Sequence, residues 1–75
     1  MILPTKHIAE QEALIGVGAT LLAHLVTPMT VSGLWERLKG EPNVGTFERF
    51  ALAANLLYLI GAIDLKDGII VRVVS

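Results

Sequence analysis

The chain has 75 residues, of which 53% are hydrophobic and 17% are charged, and this length allows one domain over residues 1–75. Its formal net charge of −1 offers no basic surface for nucleic acid, and the absence of cysteine excludes a disulfide framework and a thiolate metal site. Because so small a domain buries only about 60% of its unfolded surface, the surplus of apolar residues indicates self-association or a protein partner.

The first part of the chain predicts an extended arm followed by a helix. Residues 1–8 alternate loosely between apolar and polar side chains and contain Pro4, which we expect to exclude a helix there. Such an arm can add to the edge of a sheet. The first helix is predicted from about Glu10 to Val26, where the following Pro28 stops it.

That first helix has two faces able to pack. One carries large apolar residues, namely Leu14, Val17, Leu21 and Leu25, and the other carries small residues, namely Gly16, Thr20, Ala23 and Thr27. The small residues can seat another helix of the same fold or a helix of a partner. The continuous apolar part, residues 13–26, is shorter than the ~20 residues that cross a bilayer, so we expect no membrane span and a cytoplasmic protein.

Two more helices are expected in the middle of the chain. A short second helix has Thr30 or Ser32 as its N-cap and ends near Gly40. Thr46 caps a third helix that runs up to Gly61. Its spacing of i, i+3 and i+4 predicts that one face joins the core beside Trp35, with the members Phe47, Phe50, Ala51, Ala54, Leu57 and Tyr58.

Residues 62–74 predict a β-hairpin. We expect a three-residue loop of Lys66, Asp67 and Gly68, because a two-residue loop would place Arg72 on the core face. With this loop, the residues predicted on the core face of the hairpin are Ile63, Leu65, Ile69, Val71 and Val73. Those predicted on the opposite face are Asp64, Ile70 and Arg72. The order of elements predicts an α+β, mainly α, winged helix-turn-helix fold, with three helices and the hairpin as its wing.

The prediction of function depends on which residues lie on the outward face of the third helix. In a DNA-binding winged helix this element enters the major groove, yet here only Arg49 and Asn55 are suited to contact bases or phosphates. The remaining large residues of this face form a second apolar stripe: Leu52, Leu56, Leu59 and Ile60. Either the arm or wing covers this stripe within the monomer, or another protein chain covers it, and the sequence leaves both alternatives open.

No pattern of residues supports catalysis or a cofactor. His7 and Glu10 have a metal-ligand spacing but lack a second pair, and the glycines at 16 and 18 lack the rest of a dinucleotide-binding loop. No acid–base pair or nucleophilic triad can be assembled. We therefore expect no catalytic, cofactor-binding or metal-binding residue.

Four segments resemble one protein family: ILPTKHI at 2–8, LIGVGATLL at 14–22, PMTVSGLWERL at 28–38 and FALAANLLYLIGAIDLKDGII at 50–70. Together they cover almost the whole chain and resemble the small middle component of bacterial three-component ABC-ATPase systems. Such systems are similar in organisation to SMC-like or RecN-like assemblies and are implicated in defence against phage and other invading DNA. The resemblance implies a winged-helix adaptor between a coiled-coil ABC ATPase and another component, with no catalytic residues of its own.

Two hypotheses of different classes follow from the sequence. The first is a non-catalytic adaptor that binds other proteins, and the alternative is a small DNA-binding transcriptional regulator. The apolar surplus on the first and third helices also predicts a homodimer or a tight complex with a partner.

Overall fold

The fold is a computed structural model that describes the backbone of residues 5–73 and the side chains from residue 12 onward. The elements in chain order are α1 (Thr5–His24), β1 (Met29–Thr30), α2 (Val31–Leu38), α3 (Phe47–Leu59), β2 (Ile63–Lys66) and β3 (Ile69–Arg72). The three strands form an antiparallel sheet in the order β1-β3-β2. The predicted class is confirmed: α+β, mainly α, with three helices and a C-terminal hairpin in a winged-helix-like layout.

Helix α1 corrects the predicted N-terminal arm. It begins at Thr5, so residues 5–8 are helical rather than extended, while residues 1–4 lie outside the described part. A proline disrupts a helix when it lies inside one, but it is well tolerated at the first turn, so Pro4 does not prevent a helix from beginning directly after it. The strand that extends the hairpin sheet is β1, which the sequence did not predict.

The predicted helix caps are confirmed. Thr30 Oγ1 accepts a hydrogen bond from the Gly33 N–H at 3.0 Å, and Thr46 Oγ1 accepts one from the Arg49 N–H at 3.2 Å. These bonds satisfy backbone donors that the first turn of a helix leaves free. At the other end of α3, Gly61 has a φ of 80°, which reverses the chain towards the hairpin.

The predicted hairpin loop is wrong. Lys66 pairs with Ile69, so the loop has two residues, Asp67 and Gly68, whose φ angles are 54° and 77°. Two successive positive φ angles are typical of a type I′ turn, which matches the twist of the flanking strands.

The register therefore reverses the predicted face of β3. Opposed residues of an antiparallel pair share a face, so Ile70 lies with Leu65 on the core face, and Ile69 and Val71 lie on the other face. Arg72 does lie on the core side, but at the C-terminal end of β3, where its Nη1 donates to the Leu22 carbonyl at 3.4 Å. An arginine can cover apolar surface with its stem while its guanidinium reaches a helical carbonyl, which is why the argument from side-chain parity failed.

The core also corrects the predicted face of α3. Phe50 and Leu57 are buried as expected, but Phe47 and Tyr58 are each 51% exposed, and Ala53 is buried instead. Trp35 packs beside Phe47 and Phe50, with ring centroids 5.4 and 5.5 Å away. The buried side chains of the described part are Val17, Leu21, Leu25, Leu34, Leu38, Val44, Phe50, Ala53, Leu57, Ile63 and Ile70.

The loop between α2 and α3 packs against part of the small-residue face of α1. Asn43, in the α2–α3 loop, donates through Nδ2 to the Gly16 carbonyl at 3.2 Å and to Thr20 Oγ1 at 2.8 Å. One turn further along α1, His24 Nε2 lies 3.0 Å from Glu41 Oε1. A loop rather than a helix therefore covers Gly16 and Thr20, while Ala23 and Thr27 of the same predicted face are exposed.

We predict that Phe50→Ala lowers the free energy of unfolding by about 3–5 kcal/mol, because it removes a fully buried aromatic side chain. Phe47→Ala, at a half-exposed position one turn earlier, should cost about 1 kcal/mol. Chemical denaturation followed by circular dichroism measures both. Equal losses for the two variants would show that the buried face of α3 is wrongly assigned.

Candidate protein-interaction surface

Helix α3 exposes an apolar stripe that we call the α3 flank, formed by Leu52, Leu56, Leu59 and Ile60. The spacing of i, i+4, i+7 and i+8 places these four side chains on one face. Leu59 is 82% exposed, Ile60 is 67% exposed and Leu52 is 48% exposed, while Leu56 is partly buried. No segment within residues 5–73, including the hairpin, covers Leu59 or Ile60.

Helix α1 adjoins the flank at its N-terminal end. Leu52 lines a shallow depression together with Ala13, Leu14 and Arg49. The next residue of α1, Ile15, is 61% exposed. Further along the same contact, a Cβ on Gly18 would lie 3.4 Å from Leu57 Cδ2, so the two helices pack closely there. Helix α1 therefore packs directly beside the α3 flank at Leu52.

A second apolar surface lies between α3 and the hairpin, and we call it the hairpin groove. Its volume is about 200 Å³. Phe47, Tyr58 and Leu65 line it and are each about half exposed. The rest of its lining is Val31, Phe50, Ala51, Ala54, Asn55, Ile63 and Ile70, so Asn55 is its one polar residue apart from the tyrosine hydroxyl.

The sequence did not reveal this groove, because it placed Phe47 and Tyr58 in the core. A signal was nevertheless present. The apolar residues of α3 surround nearly the whole helix, which is more than one small core can cover, so some of the predicted core side chains must lie at its edge. The groove lies along that edge.

The residues that favoured DNA binding do not form a basic surface. Arg49 lies at the start of α3 and its Nη1 donates to the Asn43 carbonyl at 3.4 Å, while Asn55 lines the hairpin groove. Glu48 and Arg49 are the charged residues of α3, and they are adjacent. A helix that enters the major groove needs several cations or polar readers on its outward face, and this face is apolar.

The described part of the chain shows no group of metal ligands and no membrane-spanning helix. Among the side chains from residue 12 onward, no three His, Cys, Asp or Glu residues are grouped as metal ligands. His7, from the weak metal pattern, lies outside the described side chains. Within residues 5–73, no helix combines the length and the apolarity that crossing a membrane requires.

Comparison with known proteins gives one match. A family model described as "ABC-three component (ABC-3C) system Middle Component 6" matches residues 3–74. No curated protein and no solved structure gives a significant match.

We predict that duplex DNA binding is negligible at physiological salt, because α3 offers Arg49 as its one cation and the net charge is −1. A gel-shift titration up to about 10 µM protein should show no salt-sensitive complex. Sub-micromolar binding that weakens with added salt and with Arg49→Ala would contradict this prediction.

Proposed function

Since the chain belongs to the family of Middle Component 6 of ABC-three component systems, we propose that it acts as a non-catalytic adaptor that binds other components of such a system in the cytoplasm. A middle component of a multi-component system has protein partners. The observation that carries the proposal is the hairpin groove, an apolar depression whose aromatic and aliphatic side chains are left half exposed within the described part of the chain.

The exposed residues of the groove have the composition of an interface centre. Phe47 and Tyr58 are half exposed on one wall, and Leu65 is half exposed on the other. Aromatic side chains bury ~150–250 Å² each when they are fully covered, and tyrosine is among the residues that contribute most to protein interfaces. A partner that covers these three side chains removes from water the apolar surface that the fold leaves exposed.

The proposed occupant of the groove is a helix of the coiled-coil ABC ATPase. An amphipathic helix recognises a groove through apolar side chains at i, i+3, i+4 and i+7. The groove runs between a helix and a hairpin and has a volume of about 200 Å³, which accommodates a few large apolar side chains of this kind. The other faces of the adaptor remain available for a further component of the system. The proposed task of the whole system is defence against phage and other invading DNA.

The role requires no chemistry from this chain. Its carboxylates are distributed over all three helices, the loops and the hairpin, and Glu36 and Glu41 pair with Lys39 and His24. No observation favours the alternative of a DNA-binding regulator. The proposal therefore assigns binding alone to this protein, and ATP hydrolysis to the ATPase.

We predict that Leu65→Glu disrupts the complex with the ATPase component. The chain would be co-expressed with the components encoded beside its gene and captured by an affinity tag, and the affinity measured by calorimetry should fall at least ~30-fold, as for an interface hot spot. The matched control is Lys66→Glu, on the same strand but on the opposite face of the sheet, which should bind nearly as wild type.

Thermal melts of both variants establish that they are folded. Capture of the ATPase with equal affinity by both variants would contradict the groove as its site. Failure of the wild type to capture any neighbouring component would contradict the adaptor role itself.

A further inference from the structure

We infer that the α3 flank binds the same flank of a second copy of this chain around a two-fold axis. This surface is on a different side of α3 from the hairpin groove, so a dimer leaves both grooves open. The inference rests on the distribution of charge and apolar surface over α1 and α3.

The flank lies in the part of the molecule that carries no formal charge. Between Glu12 and Glu36, and again between Arg49 and Asp64, the sequence contains no Asp, Glu, Lys or Arg. The one histidine in these segments, His24, faces Glu41 on the loop-packed side of α1. A two-fold contact sets identical surfaces against each other, so a charged surface repels its own copy and an uncharged apolar surface does not.

The charges at the N-terminal end of α3 favour an antiparallel arrangement. If the axis passes near Leu56, the two α3 helices run in opposite directions, and the two Glu48 carboxylates lie about 24 Å apart along the helix axis. This separation exceeds the distance over which charges interact at physiological salt, so the two Glu48 side chains do not oppose the contact.

The size of the surface sets the strength of the contact. Helix α3 is about 20 Å long, and with α1 packed beside it the flank measures about 20 by 20 Å. A standard interface buries ~800 Å² on each partner, so this contact belongs at the small end of specific interfaces. We expect a dimer dissociation constant in the range of about 10–100 µM.

The dimer changes what the proposed adaptor can do, and this step rests on the proposed function. Two grooves in one particle can engage two ATPase helices at once. Linked sites bind a paired target far more tightly than single sites do, provided that their spacing fits. A weak dimer would then form mainly on the assembled system.

Sedimentation equilibrium of the isolated chain, over a concentration series up to about 500 µM, tests the inference without any other component. The wild type should show a monomer–dimer equilibrium. Leu59→Glu should raise the dissociation constant at least ~30-fold, because each substitution enters a two-fold interface twice. The position is 82% exposed, so the monomer keeps its fold.

Two matched controls carry the same new charge at other exposed apolar positions. Val26→Glu replaces a residue that is 69% exposed near β3, and Leu65→Glu lies in the hairpin groove. Both should dimerise as wild type. A wild-type monomer at the highest concentration overturns the inference and leaves the adaptor proposal standing, as does a dimer that Leu59→Glu leaves intact or that a control abolishes.

A chemical cross-link tests the position of the axis. The chain has no cysteine, so Leu56→Cys introduces a single thiol beside the proposed axis. A short bismaleimide should join two copies of this variant, and should not join two copies of Leu65→Cys. Cross-linking of Leu65→Cys but not of Leu56→Cys would place the self-contact at the groove and overturn the inference.

Discussion

Helix α3 buries one narrow stripe, Phe50, Ala53 and Leu57, and the rest of the fold is arranged around it. Helix α1 packs on one side of the stripe and the hairpin packs on the other, with the Ala62 N–H donating to the Leu57 carbonyl at 2.8 Å where the chain leaves α3. A core of this size cannot cover more of the helix. Most of the other large apolar residues of α3 therefore remain exposed, and the two proposed interaction surfaces follow from this geometry.

The two surfaces differ in character although they share a helix. The hairpin groove is concave and carries aromatic walls, which fit the side chains of a different protein. The α3 flank is exposed and uncharged, which makes it compatible with its own copy. Membership of the middle-component family implies protein partners, and these two surfaces are where we expect such partners to bind. The proposed use of the winged-helix-like layout is therefore protein contact, because the outward face of α3 is apolar where a DNA-binding helix is polar.

Local signals in the sequence predicted the elements, and long-range packing decided what the sequence could not. Thr30 and Thr46 fixed two helix starts because a cap depends only on the next few residues. The hairpin was predicted but its register was not, since Arg72 reaches across to the Leu22 carbonyl, a contact fifty residues away in the chain. The pairing of β1 with β3 was also missed, because a strand of two residues has no recognisable pattern in the sequence. Helical spacing alone identified the flank residues. The groove could not be predicted in this way, because its position depends on which side chains of α3 the hairpin leaves uncovered.

The most direct test of the account is a methyl and amide NMR titration of the labelled chain with the purified ATPase component of its own system. The account predicts that signals of Leu65, Ile70 and Ala54, along the hairpin groove, shift or broaden as the complex forms, while the amides of Glu36 to Lys39 on the outer side of α2 remain in place. Perturbations confined to α2, with the groove signals unchanged, would contradict the claim that the apolar face of α3 and its hairpin is the surface by which this protein binds.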